Sequence, residues 1–381
     1  MLEKTEPNGS AKSWRNVVRA ESALFVSAAT VAIFFATGSR LVEIVAYPAI
    51  LIAVFLWLFV IILWSAMCVA RHADCLAIKL GEPYGTLILT LSAISIEVVM
   101  ISTAMLHGAN NPTLGRDAIF AVLMIALNGL VGLCLLLGGL RYREQHYNLQ
   151  GVNAYLNVIM SLAVLGLVLP NFTISTSGPT FSIEQEIFLA VVSLLLYGIF
   201  LFIQTMRHRR YFMDSSDNAA GTKSVHHPLQ TRSTPFHATM LLLYLVAVIC
   251  LSEKFAIPLD NSIEKFHMPQ AFGGAIIAAL VLSPEGFSAI DASLRNQLQR
   301  SINILFGSVL ATIGLTIPAV LTIGLLTKRS VALGVEGGNL PLLLLTLAVS
   351  VVTFASRKTN VLQGCVHLLL FALFVLLIFA P

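Results

Sequence analysis

Residues 86–106, TLILTLSAISIEVVMISTAML, decide how this chain is read. The stretch is long and apolar enough to cross a bilayer as a helix, because about 20 residues span a hydrocarbon core of about 30 Å. Yet Glu97 stands in its middle. A charged side chain at that depth costs about 2.5–3.5 kcal/mol on insertion scales, so it should face the protein interior or a water-filled cavity. Thr90 lies seven residues back on nearly the same helical face, and Ser92, Ser95, Ser102 and Thr103 add oxygen ligands or hydrogen-bond partners nearby.

The rest of the chain has the same character. It is 57% hydrophobic and only 11% charged, with mean hydropathy +0.86; soluble domains carry about 25% charged residues. Apolar runs at about 23–39, 43–70, 85–106, 117–139, 153–170, 185–206, 238–254, 270–291, 301–326, 339–355 and 361–380 predict an all-α polytopic membrane protein of about eleven spans. Stretches such as 117–139 do not alternate in polarity, which excludes a transmembrane barrel. With a cytoplasmic N-terminus, alternate loops collect 17 of the 23 Lys and Arg residues on the inside, which selects N-in and C-out. Arg40, Arg116, Lys254, Lys265, Lys328 and Arg329 are expected in outside loops. The basic residues are spread thinly, so nucleic acid is not an expected partner. Cys68, Cys75, Cys134, Cys250 and Cys365 show no CxxC spacing and read as small core residues. Residues 1–22 are polar, and no cleavage pattern follows the first apolar stretch.

The longest polar insertion, about 207–237, suits a cytoplasmic linker; His226-His227 within it reads as a solvated pair. It divides the chain into 1–22 as a cytoplasmic segment, 23–39 as an extra helix, 43–206 as a first set of five spans and 238–381 as a second. Between the second and third spans, 71–81 reads as an amphipathic continuation at the interface, broken by Gly81-Glu82-Pro83.

The second set has its own mid-depth carboxylate, Glu285, in AFGGAIIAALVLSPEGFSAIDA. Pro284 removes a backbone donor beside it, and freed carbonyls next to a carboxylate suit hard cations. Ser283 is adjacent and Ser288 lies one turn on; Gly273, Gly274 and Gly286 permit close helix approach. Five spans separate the helices of Glu97 and Glu285, so the two cross the membrane in opposite senses. Inverted-topology repeats with a site near the midplane produce this arrangement. No Lys or Arg is expected mid-span to pair with either carboxylate, so both need protons or metal cations for neutralisation. Asn360 and Gln363, with His367 on the same face, fit helix packing as well as an ion path, and Asn128 and Ser308 are weaker candidates of the same kind. Asp291 reads as a solvated helix-end charge. There is no phosphate-binding GxxxxGK[ST] and no HExxH, so neither an ATP-driven pump nor a zinc hydrolase is indicated.

Four blocks carry a resemblance: RHADCLAIKLGEPYGTLILTLSAISIEVVMIS (71–102), LLLGGLRYREQHYNLQG (135–151), LSPEGFSAIDASLRNQLQRSINILFGSVLATI (282–313) and RKTNVLQGCVHLLLF (357–371). Through them the chain resembles the cation/calcium exchanger superfamily, in its bacterial calcium/proton and sodium–potassium/proton branch. The resemblance implies two inverted five-helix repeats plus an extra N-terminal helix, with spans 2 and 7 sliding against spans 3 and 8. It implies that Glu97 and Glu285 are the glutamates of the two GNxxE-like motifs, binding the transported cation and protons. Ala93-Ile94 and Val281-Leu282 replace the motif's Gly-Asn, Gly286 replaces a common His, and Gln363 replaces an acidic residue in TNVLQG. These departures remove ligands and imply a broad site. The expectation is a bacterial inner-membrane antiporter, not an enzyme, with Ca²⁺, Na⁺, K⁺ and H⁺ as substrates, lipid as its surroundings and no cofactor. No obligatory protein partner is evident, and a homo-oligomer is compatible with the sequence. A cation channel and a non-transporting membrane sensor stay as alternatives.

Overall fold

The computed structural model describes residues 21–37, 47–81, 83–107, 112–213 and 232–380. The Gly81-Glu82 step is therefore described only through Gly81, and His226-His227 and most of the N-terminal segment lie outside the described residues.

Among the described residues eleven helices run back and forth: α1 (Ser22–Thr37), α2 (Pro48–Leu80), α3 (Tyr84–His107), α4 (Leu114–Tyr142), α5 (Leu149–Phe172), α6 (Ile183–Arg207), α7 (Thr234–Lys265), α8 (Ala271–Leu294), α9 (Leu298–Thr327), α10 (Asn339–Thr353) and α11 (Val361–Phe379). Nine of those described are long and apolar enough to cross a membrane; α1 and α10 are shorter. Large apolar side chains point outward around the bundle, among them Phe25, Trp57, Leu195 and Leu369, as a lipid-facing surface requires.

Two boundaries differ from the sequence reading. The second span and the amphipathic segment after it form one helix of 33 residues, about 50 Å long, whose first turn starts at Pro48 rather than near residue 43. Gly81, at φ 67°, ends it in a backbone conformation only glycine adopts readily. The seventh span runs eleven residues beyond the expected end at 254 and carries Lys254 and Lys265 inside α7. Hydropathy falls there, but the helix does not stop: Lys254 pairs with Glu253 and lies 4.0 Å from the Phe35 ring centre. Pro258 is buried within the same helix.

Both ends of the bundle are tied. At one end Gln145–His146 pairs antiparallel with Lys358–Thr359, and Asn148 N–H donates to Gln299 Oε1 at 2.7 Å. Gln145 Nε2 donates to the carbonyl of Ser293 at 2.9 Å. At the other end Val335 N–H donates to Leu167 O, Ala332 N–H to Pro112 O, and Asn171 Nδ2 to Val335 O. These contacts fix the alternation of helix direction, so α3 and α8 run opposite ways. Under-wound π turns interrupt α4 at Ile125–Leu130 and α9 at Thr312–Thr316, the third helix of each set of five. The two sets cross closely where α8 meets α4: a Cβ on Gly274 would sit 2.7 Å from the backbone of Asp117 and Ala118.

Candidate functional site

Glu97 is buried at the middle of α3, and Glu285 lies on α8 one residue after Pro284, which leaves the Leu280 carbonyl without its intrahelical donor. Both carboxylates line one cavity of about 350 Å³, walled by α2, α3, α5, α6, α8 and α9. The cavity has an outlet at the end that carries Gly81 and Gln145, where Asp74, Ser288 and Arg300 line it and are themselves exposed.

The two carboxylates are held differently. Glu97 Oε2 accepts a hydrogen bond of 2.8 Å from Thr312 Oγ1. Thr312 is the first residue of the π turn in α9, which widens the helix and re-aims the hydroxyls that follow; Thr316, one turn on, faces the same carboxylate. Glu97 Oε1 and Glu285 Oε2 are buried and find no hydrogen-bond partner among the described residues. Unpartnered buried oxygens on two acidic groups are satisfied when a proton or a cation is bound there. Thr90, Ser92, Ser288 and Ser308 line the same cavity, the Ser92 hydroxyl donating to Ile88 O at 2.7 Å, with Asn303 and Gln204 toward its mouth.

Other sequence candidates lie elsewhere. Ser283 does not line the cavity and returns its hydroxyl to Ala279 O at 2.6 Å. Asn128, in the π turn of α4, donates to Thr346 Oγ1 at 2.8 Å and meets His367 Nδ1 at 3.2 Å, a buried knot between α4, α10 and α11. Asn360 and Gln363 form a reciprocal capping box at the start of α11, which accounts for their spacing without an ion path. Asp291 is exposed and pairs with Arg295. The structure adds residues that the sequence reading missed. Thr312 bonds Glu97 and Thr316 faces it, and Asp74 and Arg300 bring one charge of each sign to the mouth. Arg300 stands at the mouth and not mid-span, so the expectation of no mid-span Lys or Arg to pair with either carboxylate is unchanged. The arginine enters from the first turn of α9, a helix end that reads as a loop charge in sequence.

Among the described residues no group of three or more His, Cys, Asp or Glu is placed to hold a resident metal.

Comparison with known proteins agrees with this architecture. Over 313 residues the chain is 45% identical to the Sinorhizobium fredii protein y4hA, covering 82% of this chain and 84% of that one. It is 39% identical over 360 residues to the sodium–potassium/proton antiporter ChaA of Escherichia coli, covering 94% and 96%. Native YfkE superposes with a TM-score of 0.71 at 17% identity, covering 94% of this chain and all of that one, a likeness of fold. The model of the family described as sodium/calcium exchanger protein matches residues 50–206 and 236–380. Matched on both sides of the 207–235 interval, and with a cavity-lining glutamate on each of two opposed membrane helices, the chain belongs to the sodium/calcium exchanger family.

Proposed function

We propose that this chain is a secondary active antiporter that exchanges Ca²⁺, Na⁺ or K⁺ for protons by alternating access, and that Glu97 and Glu285 bind cation and proton in turn. The observation that carries the reading is one cavity shared by two carboxylates from opposed helices, each with a buried oxygen lacking a partner among the described residues. The ion classes follow from the E. coli relative, a sodium–potassium/proton antiporter, and from the family's sodium and calcium.

The distribution of basic residues supports an N-terminus inside a bacterial inner membrane and a C-terminus outside. In that orientation the cavity opens to the cytoplasm. A cation enters past Asp74 and Arg300, loses water to the hydroxyls of Ser288, Ser308 and Thr90, and settles against the two carboxylates. Thr312 holds Glu97 with its second oxygen turned to the cation. Sliding of α2 and α7 against α3 and α8 then exposes the site outside, where protons neutralise the carboxylates and release the cation. Return of the protonated carrier delivers the protons, so the proton gradient drives cation export. Two carboxylates suit two protons per Ca²⁺.

Everted membrane vesicles test this. Ca²⁺ or Na⁺ added to respiring vesicles should collapse the pH gradient, and Glu97→Gln and Glu285→Gln should each abolish the response. Wild-type exchange by both variants overturns the site; a current that follows the cation gradient alone makes the protein a channel.

A further inference from the structure

Outside the cavity, a buried polar chain joins α1, α2 and α7 at the end where the cavity opens. His72 Nδ1 and His237 Nδ1 stand 3.0 Å apart, both rings buried, on the two longest helices of the molecule. His72 Nε2 lies 3.2 Å from Glu21 Oε2. That same oxygen accepts from Arg71 Nη2 at 2.7 Å and from Tyr244 O–H at 3.0 Å. Lys79 Nζ, one turn past Cys75 on α2, donates to the carbonyl of Arg232 just ahead of α7. The charged and titratable groups facing the histidine pair are Glu21 just ahead of α1, Arg71, Lys79 and Cys68 from α2, and Tyr244 from α7. Nothing in the exchange cycle uses any of them.

The pair obeys a simple proton count. Two facing ring nitrogens at 3.0 Å form a hydrogen bond only if one carries a hydrogen and the other does not. With both rings neutral this holds when one ring carries its hydrogen on Nδ1 and the other on Nε2. One added proton on His72 leaves it intact, because Nε2–H can donate to Glu21 while Nδ1–H donates to His237. A second proton, on His237, puts hydrogens on both Nδ1 atoms, and the bond becomes a contact between two cations.

We infer that His72 and His237 are a proton-operated latch that holds the cytoplasmic ends of α2 and α7 together and releases them when both rings are charged. The helices it joins are those that slide during transport in the proposed cycle, and Glu21 fastens α1 to the same point. Released, the two helices no longer move as one unit, and turnover falls as the cytoplasmic side becomes acid. The latch thereby limits proton entry into an already acid compartment. Its transport consequence rests on the antiport reading above; the opening itself does not.

The experiment has two arms, each comparing the unaltered chain with His237→Asn, whose side-chain amide reaches the Nδ1 position and bonds His72 but takes no charge. In everted vesicles the unaltered chain should lose about tenfold more of its pH 7.5 rate at pH 5.5 than His237→Asn. In the second arm Cys75, Cys134, Cys250 and Cys365 are replaced by Ser, and maleimide labelling of Cys68, buried beside Tyr244, is followed at the same two pH values. Labelling at pH 5.5 should run about tenfold faster in the parent than in its His237→Asn derivative at the same pH, so that thiol chemistry cancels. Equal labelling and equal acid loss in the two chains would overturn the latch. Faster parent labelling with no exchange in either chain would keep the latch and overturn the antiport reading. His72→Gln, which retains only the contact with Glu21, should label quickly at both pH values, and slow labelling at both counts against the latch.

Discussion

Replacing Thr312 by Val tests the one hydrogen bond that distinguishes Glu97 from Glu285. Valine matches threonine in shape, so the fully buried site keeps its packing and loses only the 2.8 Å bond from Oγ1 to Glu97 Oε2. A hydrogen bond to an ionised acceptor contributes about 1.5–3 kcal/mol, and one to a neutral carboxyl about 1 kcal/mol. The ionised, cation-binding form of Glu97 is therefore weakened by about 0.5–2 kcal/mol relative to the protonated form. At 1.4 kcal/mol per factor of ten, the apparent KM for Na⁺ or Ca²⁺ should rise about 2- to 30-fold at fixed pH. The pH profile of exchange should move to the alkaline side by about one unit, since one unit corresponds to 1.36 kcal/mol. The assay is cation-dependent collapse of the pH gradient in everted vesicles, titrated in cation at several pH values. Thr312→Ser, which keeps the hydroxyl, should stay within about threefold of wild type. A folded Thr312→Val protein with unchanged KM and unchanged pH profile would refute the reasoning.

At the mouth, Asp74→Asn should raise KM at the cavity's open face by roughly tenfold at low ionic strength, with the difference shrinking in salt; a salt-independent effect would point to misfolding instead. Gly274→Val should lower the melting temperature of purified protein, because its Cβ meets backbone at 2.7 Å and overpacking costs about 1–3 kcal/mol. Equal melting temperatures would mean that α4 and α8 pack less closely than described. The Lys358 ammonium beside Glu144 holds that carboxyl below its usual 4.5. The bond to Lys358 therefore contributes stability above that value and loses it as pH falls through the lowered one. The melting-temperature difference between wild type and Glu144→Gln, compared at pH 7 and pH 3, should be small and favour wild type only at the higher pH. Both groups are exposed and solvent-screened, so a large difference at pH 7 would be unexpected.

Glu97 and Glu285 could be found in the sequence because a bilayer makes a mid-span carboxylate expensive enough that its presence needs a reason. Helix count and direction were legible for the same cause: length and apolarity are written residue by residue. Thr312 was not legible. Threonine is common in membrane helices, and it reaches Glu97 only because α9 takes an extra residue into one turn. Asp74 and Arg300 sit among charges that look like loop residues, and only the helices that carry α2 and α9 past the interface bring them to the cavity. His72 and His237 are 165 positions apart, and no local pattern announces such a pair. Asn360 and Gln363 show the converse: their i,i+3 spacing was visible, but it served a helix start.

The small clasp between Gln145–His146 and Lys358–Thr359 has a practical consequence. Both of its strands, with Tyr147 bonded to Ser356 and Asn148 to Gln299, join parts of the molecule that include neither α2 nor α7. In the proposed cycle it is a fiducial corner, outside the pair of helices that slide. Spectroscopic labels placed there give displacement of α2 or α7 an internal zero, so a change in distance can be assigned to the moving partner.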